Sequence, residues 1–326
     1  MDTKQLAKLF TEAEGKKVLV IGDLIVDEYV EGTKAKISPE APVPAVYGRI
    51  KRWTALGGAA NVAEAVTRLG GKPMLFSLTG DIGGLPHSCE VYNMFNRKPP
   101  IKTRIVCNGH HICRLDEEVN RMISQVEKRR LIDELDEVLK EFEPDACILA
   151  DYGKSGITSE LFNEIYRSIS AYCYYAEVCM MFIVDSKTPY PIKPIDDPRD
   201  NVDLLFTPNM DEWAQYVARN GKTCNTLVTL GAAGLEYIEN DGNPRAALVR
   251  PFSSPTVADV CGAGDVVTAT CAMLLSPNDA AYGPERRLEK IEAAQLVAET
   301  SVQKFGVNPP FLVEVLDYAA KALREA

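Results

Sequence analysis

Short apolar runs alternate with amphipathic segments along most of the chain. The run KKVLVIGD at 16–23 has the length and β-branched content of a buried strand, and a Gly-Asp pair ends it. The segment GGAANVAEAVTRLGG at 57–71 instead repeats its apolar residues with a helical period between two glycine pairs. Such alternation predicts an α/β fold, with a doubly wound and mostly parallel central sheet and helices on both faces. The predicted strands lie at 16–23, 73–81, 145–153, 179–185, 203–207 and 225–230, and the predicted helices at 57–71, 120–142, 158–176, 209–219, 265–275, 285–304 and 311–325.

Two proline-rich or hairpin-like segments break this alternation. The first has too many prolines for a helix, and the second has the pattern of a hairpin around Asn108-Gly109. We interpret both as a small β-sheet lid over a cleft of the main sheet. The lid is expected to comprise about 29–56 and 101–118, within a single domain over residues 1–326.

The composition excludes several classes of function. The net charge of −10 disfavours both a nucleic-acid partner and an anionic membrane surface. The N-terminal stretch MDTKQLAKLFTEAEGKK is polar rather than a signal sequence, and no apolar run is long enough to cross a bilayer. The nine cysteines are scattered without a C-x-x-C pair, which favours neither a zinc site nor a disulfide framework. We therefore expect a cytoplasmic protein with reduced thiols.

Polar or small residues follow most of the predicted strands. Because ligands of open α/β sheets bind beyond the carboxyl ends of the strands, these residues are candidates for one site. Each could also be an ordinary helix cap or turn residue, and the sequence leaves that alternative open. The candidates are Asp23, Asp27, Asp81, Asp151, Asp185, Thr207-Pro208-Asn209, Thr229, Gly231 and Gly234.

The stretch ADVCGAGDVVTATCAMLL at 258–275 places small residues and a carboxylate directly before a buried helix. Backbone N–H groups at a helix start favour an anion, and Gly262, Ala263 and Gly264 would let a phosphate approach closely. Asp265 would then be a base beside that phosphate. The alternative is a glycine-rich turn in which Asp265 is an ordinary N-terminal helix residue.

The other requirements of phosphoryl transfer are a metal and a nucleotide site. Asn209 and Glu212 lie one helical turn apart at a predicted helix start, where they could hold Mg²⁺ through water. The sequence has neither a G-x-x-x-x-G-K-[ST] loop nor a G-x-G-x-x-G turn after a strand. The second absence disfavours a nicotinamide-dependent oxidoreductase.

Four motifs together resemble the ribokinase-like (PfkB) carbohydrate kinases. They are DVCGAGD at 259–265, GGAANVA at 57–63, TPNMDE at 207–212 and VTLGAAG at 228–234. The stretches GDLIVDEY, ISPEAPVP, LADYGKSG and VDSK resemble one branch of that family. This branch phosphorylates the anomeric hydroxyl of D-glycero-β-D-manno-heptose 7-phosphate, giving the 1,7-bisphosphate. The resemblance implies ATP and Mg²⁺ as cofactors and allows a monovalent cation.

The resemblance also implies roles for individual residues. Asp265 corresponds to the catalytic base, and the amides of 262–265 correspond to the anion hole. Lys154, Arg104 and Arg114 could meet a substrate phosphate, or they could be exposed surface charges. Sugar binding is implied for Asp27, Gly57, Gly58, Asn61 and Asp151. Nucleotide binding is implied for Lys187, Asn209, Glu212, Thr229, Gly231 and Gly234. Of these, Asn209 and Glu212 would also hold Mg²⁺.

The chain departs from the family pattern in four places. Cys261 replaces a Thr beside the phosphates, and could be a low-pKa sensor thiol or a small space-filling residue. Gln295 replaces an Asn of the adenine-side helix, and Ser186 replaces a Pro. The segment 82–101 is shorter than its counterpart in the family and borders the lid, so it affects the identity of the substrate.

The sequence favours an ATP-dependent sugar-phosphate kinase. A ribokinase- or fructokinase-type kinase of an unphosphorylated sugar is an alternative of the same class. A non-catalytic binding or scaffold protein is an alternative of another class, which the intact GAGD turn disfavours. Apolar lid residues, among them Val43, Val46, Ile105 and Ile112, predict a homodimer through the lid.

Overall fold

A computed structural model describes residues 1–80, 89–95, 97–118, 122–192, 197, 199–240, 245–282 and 284–325. Asp81, and residues 82–88 and 96 of the shortened segment 82–101, therefore lie outside the described residues. The strands are β1 (Lys17–Gly22), β2 (Leu24–Gly32), β3 (Lys34–Ile37), β4 (Pro44–Tyr47), β5 (Lys51–Gly58), β6 (Lys72–Ser77), β7 (Glu90–Asn93), β8 (Ile101–Cys107), β9 (His110–Glu117), β10 (Ala146–Asp151), β11 (Met180–Ser186), β12 (Val202–Phe206), β13 (Asn225–Thr229), β14 (Leu235–Glu239) and β15 (Arg245–Val249). The α-helices are α1 (Thr3–Glu12), α2 (Ala59–Arg68), α3 (Gln125–Phe142), α4 (Ser159–Ala176), α5 (Met210–Asn220), α6 (Ala263–Leu274), α7 (Pro284–Ser301) and α8 (Leu312–Glu325).

The central sheet has nine strands in the order β15-β14-β13-β12-β11-β10-β1-β6-β7. The strands from β13 to β7 are parallel, and β14 and β15 form an antiparallel edge. The chain leaves β1 for β6 on one side and later returns to β10 on the other. The strand order thus reverses beside β1, which is where open α/β sheets form a ligand crevice.

Helices cover both faces of this sheet, as the sequence predicts. Val18 and Val20 of β1 pack in a core cluster with residues of α2, α6 and α7. The alternate residues Leu19 and Ile21 pack in a second cluster with residues of α3 and α4. Since successive side chains of a strand point to opposite faces, one apolar strand supplies both cores. The doubly wound α/β prediction is confirmed.

The second sheet is small and separate, with the strand order β5-β2-β8-β9, and β3 and β4 form a two-stranded ribbon. It begins earlier than predicted, because only Asp23 separates β1 from β2. The pairing of β2 with β8 is parallel, so the sheet is mixed. Asn108 and Gly109 have φ values of 50° and 77°, the left-handed conformations that the predicted tight hairpin turn requires. We call β2, β5, β8 and β9 the lid sheet.

Some elements have no counterpart in the sequence prediction. Helix α1 begins with a capping box in which Asp2 and Gln5 bond each other's backbone N–H, and it buries Leu6 and Phe10. The edge strands β14 and β15 are further additions. Among the described residues, no helix has the length and apolar character needed to span a membrane.

Candidate active site

A cavity of about 290 Å³ lies at the carboxyl ends of the central strands, beneath the lid sheet. This is the position that the strand-end residues predict. Several residues without an implied role also line the cavity, among them Lys102, Tyr152 and Asp185. Ten residues with an implied role line it: Asp27, Gly58, Arg104, Lys187, Asn209, Glu212, Thr229, Gly262, Gly264 and Asp265.

Asp265 is held from two sides at the start of α6. Its carboxylate accepts hydrogen bonds from Asn61 Nδ2 at 2.6 Å and from the Tyr152 hydroxyl at 2.5 Å. Helix α6 begins at Ala263, two residues before the predicted start, with Gly262 as its N-cap and no side-chain capping bond. Asp265 is therefore not the N-cap, although it does lie in the first turn of α6. Burial raises the pKa of Asp265, against the lowering effect of the bonds from Asn61 and Tyr152.

The glycines of the turn serve two different needs. Gly262 has φ of 79°, and a Cβ there would lie 2.6 Å from Asn61 Nδ2. Gly264 has an ordinary helical φ, and none of the described residues lies within 4 Å of the place of its Cβ. Alanine would be the better helix former at that position, so the open space fits a ligand that approaches the backbone. The N–H of Ala263, by contrast, already donates to the Val260 carbonyl at 3.3 Å.

The opposite wall of the cavity carries a buried ion pair between Asp27 of β2 and Arg104 of β8. The Gly57-Gly58 pair at the end of β5 lies directly against it. A Cβ on Gly57 would clash with Asp27 Oδ2, and one on Gly58, where φ is 60°, would clash with the Asp23 carbonyl. The glycine pair thus permits close packing around Asp27.

The third part of the cavity combines one cation with two carboxylates. Lys187 Nζ lies 2.7 Å from Glu212 Oε1 and 3.5 Å from Asp185 Oδ1. Burial would lower the pKa of Lys187, but the two carboxylates outweigh it and raise that pKa. Asn209 and Glu212 form a capping box at the start of α5, each side chain accepting from the other's backbone N–H at 2.9 Å. Both residues therefore cap a helix and line the cavity at once.

These oxygens suit Mg²⁺, a hard cation that binds proteins through one or two carboxylates and keeps several waters. Asp185 and Glu212 face the cavity from β11 and α5, and the Asn209 amide lies beside them. No group of three or more His, Cys, Asp or Glu in the described part of the chain forms a closed metal cage. The oxygens of Asp185, Glu212 and Asn209 therefore fit a metal ion that is also bound by a ligand in the cavity.

Other residues with implied roles lie outside the cavity. Asp151 is fully buried and accepts from the Gly153 N–H at 2.9 Å and the Ser186 hydroxyl at 2.8 Å, so it stabilises the loop rather than facing a sugar. Lys154 Nζ lies 2.6 Å from Glu118. Gly231 is exposed, and a Cβ on Gly234 would clash with the Val249 carbonyl, which gives Gly234 a backbone role.

Sequence reasoning missed the contributions of Tyr152 and Lys102. Tyr152 directly follows the end of β10, and its position in the strand-end pattern could have identified it. Lys102 lies two residues before Arg104 in β8, so the alternation of side chains places both on one face. The role of Lys102 depends on the lid folding over the sheet, which the sequence pattern does not specify.

Two of the three substitutions in the family pattern, Cys261 and Gln295, have separate outcomes. Burial and the neighbouring Asp259 raise the pKa of the Cys261 thiol to about 11, so it is protonated at neutral pH. The hypothesis of a low-pKa sensor thiol is therefore wrong. Gln295 is buried and donates to Glu299 at 2.8 Å within α7.

Solved structures share this fold. A variant of phosphofructokinase-2 from Escherichia coli superposes with a TM-score of 0.65 at 14% identity, covering 95% of this chain and 100% of that chain. Ribokinase from Giardia lamblia superposes with a TM-score of 0.62 at 16% identity, covering 94% and 99%. The sequence is also 30% identical over 304 residues to the bifunctional protein HldE of Hyphomonas neptunium. The chain therefore has the ribokinase-like fold.

The similarity to HldE covers 84% of this ribokinase-like chain and 58% of the relative. The chain thus spans less than two thirds of the length of the curated relative that it matches. No protein-family model matches the sequence.

The buried acids of the ribokinase-like chain give a pH-dependent stability. Burial raises the pKa of both Asp23 and Asp185 to about 6, from 3.8. Between pH 4 and 6 these two carboxyls therefore hold protons in the folded state that they have lost in the unfolded state, so their contribution to stability falls as the pH rises. Two pKa units correspond to about 3 kcal/mol per group as an upper limit.

We expect urea unfolding at pH 4.5, 5.5 and 7 to show this decline, and Asp23→Asn to reduce its slope and to stabilise the chain at pH 7. Asp197→Asn is the control, because its bonds with Arg199 lower the Asp197 pKa to about 2, below this range. If stability depended on pH in Asp23→Asn as steeply as in wild type, the raised pKa of Asp23 would be contradicted.

Proposed function

We propose that the chain is an ATP-dependent kinase that phosphorylates the anomeric hydroxyl of D-glycero-β-D-manno-heptose 7-phosphate. The observation that carries the proposal is the Asp265 carboxylate, which opens into the cavity beside Gly264 and is held there by Asn61 and Tyr152. A positioned base beside an open glycine turn meets the needs of phosphoryl transfer to an alcohol. The similarity to HldE and the heptose-type motifs support the choice of sugar.

In this mechanism Asp265 accepts the proton of the sugar hydroxyl as its oxygen attacks the γ-phosphorus of ATP. The bond to the leaving ADP oxygen breaks, and that oxygen keeps the electron pair. The open backbone at Gly264 gives the phosphoryl oxygens room to approach the start of α6, where the helix dipole favours negative charge. Burial of Asp265 favours proton uptake, because it raises the pKa of the carboxyl.

The nucleotide side of the proposal rests on Lys187, Thr229 and the acidic pair. Lys187 would bind the ATP phosphates after it breaks its ion pair with Glu212 or Asp185. Asn209, Glu212 and Asp185 would hold Mg²⁺ through water, and bound Mg²⁺ supplies charge neutralisation on the phosphates. Gly231 and Gly234 both have positive φ and shape the turn after β13, and their nucleotide role and the monovalent cation stay predictions.

A coupled assay of ADP release over sugars and sugar phosphates, with Mg²⁺ and with or without K⁺, tests the proposal. Heptose 7-phosphate is expected to give the highest kcat/KM. Better turnover of free ribose or fructose would reject heptose 7-phosphate as the substrate but would still support a sugar kinase. A chain that turns over none of the sugars would favour the scaffold alternative.

We also propose that the lid sheet and its ribbon form a homodimer. Ile37, Val43 and Leu115 are 66%, 51% and 59% exposed on this part of the molecule, while Val46, Ile105 and Ile112 are half-buried. Clustered exposed apolar side chains favour association.

Light scattering at micromolar concentration is expected to give the mass of a dimer, and Ile37→Asp to give a monomer. Val126→Asp is the control, because Val126 is 77% exposed on α3, outside the lid. A monomeric wild type would contradict this proposal.

A further inference from the structure

Lys102 occupies a row of charged side chains on the lid sheet. The strand register places it directly between Asp27 of β2 and Asp116 of β9. Arg104 and Arg114 form the next pair along the same face. Directly opposed residues of paired strands share a face, so these side chains lie together. Asp27, Lys102 and Arg104 line the cavity, which places this face of the row over it.

The other cations near this row already have carboxylate partners. Arg104 pairs with Asp27, Arg114 with Asp116 at 2.7 Å, and Lys154 with Glu118 at 2.6 Å. These are the three cations that the sequence suggests for a substrate phosphate. Each is neutralised by the protein itself.

Lys102 forms no ion pair within the described part of the chain. Four cations and three carboxylates make up the local set, so one positive charge is left over at Lys102. Burial lowers the pKa of Lys102, and the positive charges of Lys154, Arg114 and Arg104 lower it further, against the raising effect of Asp27. An anion beside Lys102 would relieve this repulsion and replace lost hydration.

The position of Lys102 separates it from the phosphoryl-transfer machinery. Lys102 belongs to β8 of the lid sheet, whereas the cation beside the acidic pair is Lys187 of β11. Gly264 and Asp265 belong to α6. The cavity therefore has Lys102 and the Asp27-paired Arg104 on the lid, and Lys187 on the central sheet.

We propose that Lys102 binds the phosphate that the sugar substrate already carries and so selects sugar phosphates over free sugars. This inference rests on the proposed kinase function and names the residue that sets its substrate class. Asp27, beside Lys102, would face other hydroxyls of the sugar, so neighbouring lid strands would bind the phosphate and the sugar while Asp265 of α6 meets the hydroxyl to be phosphorylated. A lysine acts here as a point charge with three donors, which suits a phosphate dianion.

The test compares wild type with Lys102→Met, which keeps the aliphatic stem and removes the charge. Binding of D-glycero-D-manno-heptose 7-phosphate and of the unphosphorylated heptose is measured by calorimetry, and turnover of both by ADP release. We expect Lys102→Met to weaken binding of the phosphorylated sugar about 10–100-fold, as for loss of a charge-assisted hydrogen bond. Binding of the free heptose and KM for ATP are expected to stay within about two-fold.

Lys98→Met is the matched control, because Lys98 precedes β8, is 65% exposed and pairs with Glu117. It is expected to bind both sugars like wild type. Equal losses for both sugars in Lys102→Met, or a wild type that binds them equally or binds neither, would overturn the role of Lys102. Selective binding that Lys102→Met abolishes, in a chain without turnover, would support the phosphate site and reject the kinase.

Discussion

Asp265→Asn is expected to lower kcat by about 10²–10⁴, equivalent to roughly 3–5 kcal/mol of barrier. The amide keeps the size of the side chain but cannot accept the proton of the attacking hydroxyl. Burial of the Asp265 carboxylate is unfavourable, so its loss is expected to leave the chain folded and at least as stable. Affinity for ATP is expected to hold or to rise slightly, because a negative charge beside the phosphates is removed.

The measurements are turnover on the best sugar, nucleotide binding and the urea midpoint. Asp211→Asn is a matched control, since Asp211 is also an acid in the first turn of a helix but is exposed and outside the cavity. It is expected to turn over like wild type. An Asp265→Asn variant within a few-fold of wild type would reject Asp265 as the base.

Gly264→Ala is expected to raise stability and to lower turnover. The backbone of Gly264 is helical and has room for a Cβ, so alanine stabilises α6 by about 0.5–1 kcal/mol. The new methyl group lies in the space that the proposal assigns to the transferring phosphoryl group. A displacement of about 1 Å there costs roughly 10²-fold in rate.

Thermal unfolding and the kinase assay measure the two effects separately. Gly70→Ala is the matched control: space for a Cβ is also open there, but φ is 95°, so alanine is strained. It is expected to lose about 1 kcal/mol of stability and to retain full turnover. A Gly264→Ala variant that is both more stable and fully active would show that no phosphoryl group approaches this turn.

Much of the site follows from local patterns. The apolar run at 16–23 and the glycine-flanked helix predict the crevice beside β1, and the GAGD turn predicts the start of α6. The spacing of Asn209 and Glu212 predicts a pair that could hold Mg²⁺, and the same spacing makes them a capping box. Such patterns involve residues within a few positions of each other, so the backbone conformation alone determines them.

Errors arose where the environment of a side chain depends on distant parts of the chain. Asp151 follows a strand like Asp27, yet β11 and the loop after β10 bury it. The edge hairpin of β14 and β15 was missed because its alternation is short and partly exposed. Strand-end position brings a residue to the crevice edge, but neighbouring elements decide whether it faces the cavity.

The sequence by itself determined the main alternation of strands and helices, the glycine turn before α6 and the chemistry available at the strand ends. Tertiary structure alone decided which of these groups meet and which charges cancel. The bond from Asn61 to Asp265 joins residues 204 positions apart, and the Arg104–Asp27 pair spans 77 positions. The free charge of Lys102 is a property of the folded lid, because an ion pair forms only between side chains that packing brings into contact, and sequence spacing carries no information about that distance.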